Sequence, residues 1–387
     1  MLQKLKNIYH FFNAFLAVFY YGYPAKDLEV IGVTGTDGKT TTSTIIYHIL
    51  KSAGKEVALI TTVAAYIKDD QIDTGFHTTS PDPWTLQKLI KEVKDQGIKF
   101  LVLESTSHGL DQHRLLGCNF KVGVITNITH EHLDYHKNQS NYLKAKSKLL
   151  KKSKYAVLNS TDLSFKKLKS IIKKMVITYS DENIPKYVTN KFPQKFNQLN
   201  AQAAINVVRI FDIDEDDIGK AISTFEGVKG RMEEVSNKLG LKIIVDFAHT
   251  PNAVEKVLSS LKKVTKGKLI AVFGATGRRD VTKRPKMGKI ASELSDLVVL
   301  TADDCYDEDV NKIINQIKSG ITKNHQNIIS FTNRQEAINY AIINANKGDT
   351  VAILGQGHEQ SINLDGKTET PWSDIKVTEK ALKKKSA

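Results

Sequence analysis

The segment Thr34-Gly35-Thr36-Asp37-Gly38-Lys39-Thr40-Thr41 narrows what this chain can become more than any other. A β-branched run, Leu28–Val33, precedes it, and a helical apolar pattern of Ile45, Ile46, Ile49 and Leu50 follows. Strand, glycine turn, Gly-Lys-Thr and helix together make a phosphate cradle. Backbone N–H groups and the helix N-terminus face the anion, Lys39 adds a point charge, and Thr40 offers a hydroxyl to Mg²⁺. The strict Walker spacing is missed by one, because Val33 stands where that motif has glycine and Gly32 lies one residue early. Strand and helix are nevertheless in register, and nucleotide binding is the expectation. The cradle alone does not choose among kinases, GTPases and ligases.

Beyond it, short β-branched runs alternate with helical periodicity, the pattern of parallel α/β sheets. Strands are expected at Val57–Ile60, Phe100–Leu103, Val122–Ile125, Ala156–Leu158, Ile243–Val245, Leu269–Phe273, Leu297–Leu300 and Val351–Leu354, with amphipathic helices such as Trp84–Asp95, Asn200–Phe211, Ala253–Val264 and Arg334–Ala345 between them. The 387 residues suffice for two or three cores without metal or disulfide staples, and Cys118 and Cys305 fit a reducing, cytoplasmic setting. A break near Gly227–Met232 gives an α/β fold of two domains: a P-loop parallel-sheet domain over 29–231 and a Rossmann-like domain over 232–387. An aromatic helix over 1–28 precedes them. Its core, Asn7–Tyr23, follows Lys4 and Lys6, lacks a small-residue cleavage site and is too short to span a bilayer. It reads as an amphipathic helix packed on the body of the protein, or as an interfacial, peripheral membrane contact.

Glu104 closes a second apolar run and is expected at the C-terminal edge of a buried strand, where open α/β sheets bind ligands. A third run leads into Thr126-Asn127-Ile128-Thr129-His130-Glu131-His132-Leu133-Asp134-Tyr135-His136. This cluster has no His-x₃-His pair with a helix-borne Glu and no cysteine partner, which argues against zinc. The net charge of +14 suits phosphorylated small molecules, polyanions or anionic membranes. The lysine runs Lys144–Lys154 and Lys166–Lys174 read as solvated faces. No nucleic-acid module is recognisable, so nucleic acid is not expected as a partner.

In chain order, GTDGKTTT, ESTSHGLDQHR, TNITHEHLDYH, YLKAKSKLL (142–150), FNQLNAQAA (196–204), GVKGRME (227–233), VDFAHTPNAVE (245–255), RRDVTKRPKMG (278–288) and GQGHE (355–359) resemble the motifs of the ATP-dependent Mur ligases over about residues 28–380. The resemblance is greatest to the MurE type, which adds a diamino acid to UDP-N-acetylmuramoyl-L-alanyl-D-glutamate in peptidoglycan synthesis, and so in cell wall biogenesis, cell shape and division. It implies ATP and Mg²⁺ as cofactors, and a UDP-muramoyl dipeptide and a diamino acid as substrates. Gly35, Thr36, Asp37, Gly38, Lys39, Thr40 and Thr41 would hold the ATP phosphates, Asn197 and Asn200 would lie near the adenine, and Asp246 near the ribose. Arg231, at the hinge, would reach the γ-phosphate. Thr40 and Glu104 would share one Mg²⁺, His132 would ligate a second, and Lys146 would be carbamylated into a carboxylate-like ligand. Thr79, Ser80, Thr106, Gln112 and Arg114 match positions that hold the muramoyl dipeptide, while Gly355 and Glu359 match contacts to the incoming amino acid.

Two departures stand out. Relatives carry a separate domain that grips the uridine diphosphate, whereas about 28 residues precede the first strand here. The surface that remains, a partner protein, or a substrate without that handle would answer for it. In diaminopimelate enzymes an Asp-Asn-Pro-Arg block supplies an arginine for the distal carboxylate. Here the block is Asp303-Asp304-Cys305-Tyr306, and Asp304 with Tyr306 at the acceptor loop leans toward a cationic end such as that of L-lysine. Alternatives are a Mur-superfamily ligase acting on a lipid-linked muramoyl precursor, a folylpolyglutamate or a cyanophycin-like substrate, or a noncatalytic ATP- or nucleic-acid-binding protein.

Overall fold

The computed structural model describes residues 2–68, 70–72, 80–322 and 327–386, with side chains from residue 6 onward. The chain divides into two compact units, Met1–Thr129 with His136–Glu226, and Gly227–Ala387 with His130–Tyr135. The short segment His130–Tyr135 thus groups with the second unit although its neighbours in sequence belong to the first.

In the first unit, eight strands among the described residues form one sheet: β1 (Glu29–Thr34), β2 (Val57–Ile60), β3 (Ala65–Ile67), β4 (Asp70–Ile72), β5 (Phe100–Glu104), β6 (Phe120–Ile125), β7 (Tyr155–Asn159) and β8 (Val176–Tyr179). Their order is β4-β3-β2-β5-β1-β6-β7-β8. All pairings are parallel except those of β3 and β4, which turn back antiparallel at one edge. The apolar runs read from the sequence become these central strands because a parallel sheet buries both faces. Leu86, Leu89, Ile90 and Val93 of the helix Pro83–Asp95 pack with Ile60, Leu101 and Leu103 in one cluster. Tyr142, Leu143 and Leu150 of the helix Gln139–Lys152 pack with Ile125 and Leu158 in another. The early glycine has a packing role: a Cβ on Gly32 would lie 2.6 Å from Leu149 and 2.8 Å from Phe120. Gly32 lets that helix close on β1 and is not a displaced phosphate-loop glycine.

The second unit has its own sheet: β9 (Glu233–Glu234), β10 (Lys242–Asp246), β11 (Leu269–Phe273), β12 (Leu297–Leu300), β13 (Ile328–Ser330) and β14 (Thr350–Leu354), in the order β13-β12-β11-β14-β10-β9. Only β9 runs antiparallel. The loops after β10, β11, β12 and β14 therefore leave from the same sheet edge.

Two of these ends are fastened by a buried cation. Arg334, at the start of the helix Arg334–Asn344, donates from Nε and Nη2 to the two carboxylate oxygens of Asp374 at 2.8 and 2.7 Å. Its Nη1 donates to Ala302 O at 3.1 Å and its Nη2 to Leu354 O at 3.0 Å, tying the C-terminal ends of β12 and β14 together. Arg334 is 2% exposed and Asp374 0%, so neither charge has water as an alternative. The neighbouring carboxylates hold the guanidinium pKa above its ordinary value against the opposing effect of burial. Cys118 and Cys305 are buried free thiols, pushed up to about 12 and about 11 by burial.

Replacing Arg334 by Leu strands the Asp374 carboxylate, and breaking a buried pair from one side costs about 3–5 kcal/mol. Urea denaturation followed by circular dichroism should show this loss in the transition of the second unit.

Candidate active site

The phosphate loop joins β1 to the helix Lys39–Ser52. A Cβ on Gly35 would fall 1.8 Å from Thr126 Oγ1, and one on Gly38 would fall 2.3 Å from Asn200 Oδ1, so side chains from two other elements occupy space that only glycine leaves open. Gly38, at φ +81, caps the helix from the left-handed region. Lys39 Nζ donates to Thr36 O at 2.8 Å, and Thr36 Oγ1 meets the Tyr142 hydroxyl at 3.1 Å. The loop is further fixed by Asn127, which accepts from Asp37 N and donates to Asp37 O, both at 3.0 Å. Thr126 Oγ1 donates to the same carbonyl at 2.6 Å.

Glu104 ends β5 opposite Val33 of β1 and is 1% exposed. Its carboxylate accepts from Thr62 Oγ1 at 3.1 Å and Thr62 N at 3.3 Å. Lys146 is equally buried, contrary to the reading of its lysine run as a solvated face, because it sits on the inner side of the helix Gln139–Lys152. Its Nζ donates to Gly35 O at 2.6 Å and lies 4.7 Å from the centre of the Tyr142 ring. Asn197 and Asn200 share the helix Lys195–Arg209, where Asn200 Nδ2 donates to Asn197 Oδ1 at 3.3 Å. Asn200 is not the helix start that the sequence suggested. The helix begins earlier, so its side chain points across at Gly38.

Four of the expected dipeptide contacts gather in the same unit. Thr106 caps the helix Ser107–Asp111, and its hydroxyl meets Ser80 Oγ at 3.0 Å. Arg114 donates to Ser80 O at 2.7 Å and, through Nε and Nη2, to Gln112 Oε1 at 3.0 and 2.7 Å. Thr79 lies outside the described residues. The His136 ring stands 5.5 Å from His108 and 5.3 Å from Tyr142.

In the second unit, Asp246 ends β10 and accepts from Met232 N at 2.7 Å and Ala248 N at 2.8 Å, bracing the turn that carries Arg231. The Arg231 guanidinium lies 4.4 Å above the Phe247 ring, which also contacts His249 and His358 at 4.6 and 4.8 Å. Gly355 leaves β14 with φ +117, its missing Cβ giving room to Asp303 Oδ2. Gln356 Nε2 donates to Asp303 Oδ1 at 3.0 Å, and Glu359 N to Gln356 O at 3.0 Å. Asp304 Oδ1 accepts from Asn363 N, and Tyr306 N donates to Asn363 O, each at 3.0 Å. Arg278 stands 5.8 Å from the Tyr306 ring, and Arg279 is also close enough to act on the phenol, whose pKa burial raises. His132 groups with this unit at φ +56. Its neighbour Glu131 pairs with Lys283 at 3.3 Å, both almost fully buried.

Sequence reasoning did not single out Thr62, Thr126, Asn127, Tyr142, Asp303, Arg334 or Gln356. Thr126 and Asn127 stood inside a quoted block, but their contacts to Asp37 span 89 and 90 residues and leave no local signal.

The Mur ligase middle domain family matches residues 33–213, and the Mur ligase glutamate ligase domain family matches residues 230–357. The UDP-N-acetylmuramoyl-L-alanyl-D-glutamate--2,6-diaminopimelate ligase of Aquifex aeolicus is 39% identical over 388 residues, covering 94% of this chain and 79% of the relative. The enzyme of that name from Bacteroides fragilis is 37% identical over 376 residues, covering 90% and 77%. Among solved structures, one of a UDP-N-acetylmuramoyl-L-alanyl-D-glutamate--2,6-diaminopimelate ligase superposes with a TM-score of 0.60 at 28% identity, covering 94% of this chain and 80% of the other. Escherichia coli FolC in complex with DHPP and ADP shares the fold, at a TM-score of 0.69 and 19% identity, over 89% of each chain.

The turn bearing Arg231 admits one sharp test. A Cβ on Gly230, at φ +65, would lie 2.0 Å from His358 N and 2.4 Å from Gly357 C, and backbone cannot yield as a side chain can. Gly230→Ala should cost the second unit about 1–3 kcal/mol in denaturant unfolding.

Proposed function

The chain belongs to the Mur ligase family, and from that membership we propose that it is an ATP-dependent amide-bond ligase adding a diamino acid to UDP-N-acetylmuramoyl-L-alanyl-D-glutamate. The observation that carries this reading is the clasped phosphate loop of the first unit, accompanied there by Glu104, Lys146 and the Ser80–Thr106–Gln112–Arg114 cluster. A dipeptide carboxylate oxygen attacks the γ-phosphorus of ATP, ADP leaves, and an acyl phosphate forms. The acceptor amine then attacks the acyl carbonyl, loses a proton and expels phosphate. The first step brings two anions together, and Lys39 with the loop N–H groups opposes that repulsion; Arg231, on the second unit, is our candidate for a further contact to the γ-phosphate.

The residues fit a hard divalent cation. Thr40 offers a hydroxyl and Glu104 a carboxylate, and no group of three or more His, Cys, Asp or Glu occurs among the described residues to hold a metal by itself. Phosphate oxygens would complete such a shell. Mg²⁺ bound there would neutralise charge on the transferring phosphoryl group. Lys146, whose Nζ donates to the Gly35 carbonyl, is our candidate to join this shell once carbamylated, and His132 is our candidate for a second ion.

For the acceptor, the names of the relatives favour 2,6-diaminopimelate. Arg278 and Arg279 bring cationic charge beside Tyr306; Arg278 is already paired with the Asp307 carboxylate, which makes Arg279 our candidate partner for an acceptor carboxylate at that loop.

Purified protein should release ADP and phosphate only with ATP, Mg²⁺, the UDP-muramoyl dipeptide and a diamino acid all present, with kcat/KM higher for meso-diaminopimelate than for L-lysine. Turnover on a folate or lipid-linked substrate instead would overturn the reading. Lys146→Ala should lower kcat roughly 100-fold or more, beyond the usual effect of losing a ligand's supporting partner. Formate should restore part of this loss, and activity unchanged by the substitution would refute the carbamate.

A further inference from the structure

We propose that the outward face of the helix Leu2–Tyr20 binds the surface of an anionic lipid bilayer, so that the protein lies on a membrane without crossing it. Sixteen large apolar or aromatic side chains are exposed among the described residues. Nine of them fall between Ile8 and Tyr23, and a tenth is the adjoining Trp84. Soluble monomers do not usually gather exposed apolar surface in this way.

The helix packs with its small face inward. Ala14, Ala17 and Val18 are buried, and a Cβ on Gly117 would meet Val18 at 2.8 Å. Ile8, Phe12, Phe15 and Phe19, spaced three or four residues apart, form the opposite stripe, with Phe12 59% and Phe19 66% exposed. Tyr9, Leu16 and Tyr20 flank it. The helix is also fixed in place. Asn13 Oδ1 accepts from Trp84 Nε1 at 3.0 Å, and Asn7 Nδ2 donates to Asp111 at 3.2 Å. With the small face already packed on the body, the aromatic stripe is turned away from it.

Charge and chemistry select the occupant. No acidic residue lies in the helix; its charged side chains are Lys4 and Lys6, and the chain carries +14 overall. A basic helix with phenylalanines along the centre of one face and tyrosines and a tryptophan beside them has the composition of one lying in the headgroup region. The helix is too polar and too short in its apolar stretch to span, and no described helix qualifies as a membrane span. A lipid surface accepts such a face at any rotation about the membrane normal, whereas a protein partner would need a matching groove. The inference does not rest on the ligase reading.

The full chain should sediment with phosphatidylcholine vesicles containing about 30% phosphatidylglycerol and not with phosphatidylcholine alone, and the difference should shrink with added salt. Phe12→Ser/Phe19→Ser should weaken binding at least ~10-fold, the scale expected for two large apolar side chains, while leaving the melting temperature and ATP turnover unchanged. Absence of vesicle binding, or equal binding by the double variant, overturns the proposal. So does concentration-dependent dimerisation that the same substitutions abolish without any vesicle binding, because the occupant would then be a second copy.

Discussion

The first unit depends on two places where a side chain cannot exist. At Gly35 and Gly38 the absent Cβ atoms make room for Thr126 and Asn200, so the phosphate loop is held by the loop after β6 and by the helix Lys195–Arg209 as well as by its own strand. Parallel pairing explains why these elements can meet. β1 lies between β5 and β6, and all three send their C-terminal ends to one edge, which brings Glu104, Thr126 and the loop together. Gly32 extends the same logic inward, since the helix bearing Lys146 could not approach β1 over a larger residue.

The second unit uses a charge for the equivalent purpose. Its sheet also releases several loops at one edge, and Arg334 with Asp374 fixes two of them by hydrogen bonds to the carbonyls of Ala302 and Leu354. Burial of an ion pair contributes little net stability by itself, but it makes wrong arrangements costly because they would strand a charge. Asp303 and Gln356 add a second tie between the same loops, so the Gly355–Glu359 segment inherits its position from a polar core.

The central strands were legible in the sequence because they are uniformly apolar and buried on both faces. β5, β11 and β14 correspond to continuous apolar runs rich in Val, Ile and Leu, and β1 to one broken only by Gly32. The strands that escaped notice are short edge strands such as Asp70–Ile72, Glu233–Glu234 and Ile328–Ser330, whose few residues carry neither an alternating nor a continuous apolar signal. Glycine, lysine and threonine of the phosphate loop were legible because strand, turn and helix adjoin in the chain. Thr62 on Glu104 and Tyr142 on Thr36 were not, because each hydroxyl reaches its partner only through the fold. Lys146 shows the opposite failure: a helix face can be judged from local charge density only where every lysine on it faces water, and this one faces the core.

The two cysteines carry a practical consequence. Burial keeps both thiols protonated at neutral pH, and the thiolate is the form that reacts. The natural chain is therefore close to a thiol-silent background. A single cysteine introduced at an exposed position such as Leu163 or Val281 could carry a fluorescent or spin label without first removing Cys118 or Cys305, so that the local environment in either unit could be followed in solution on an otherwise unaltered protein.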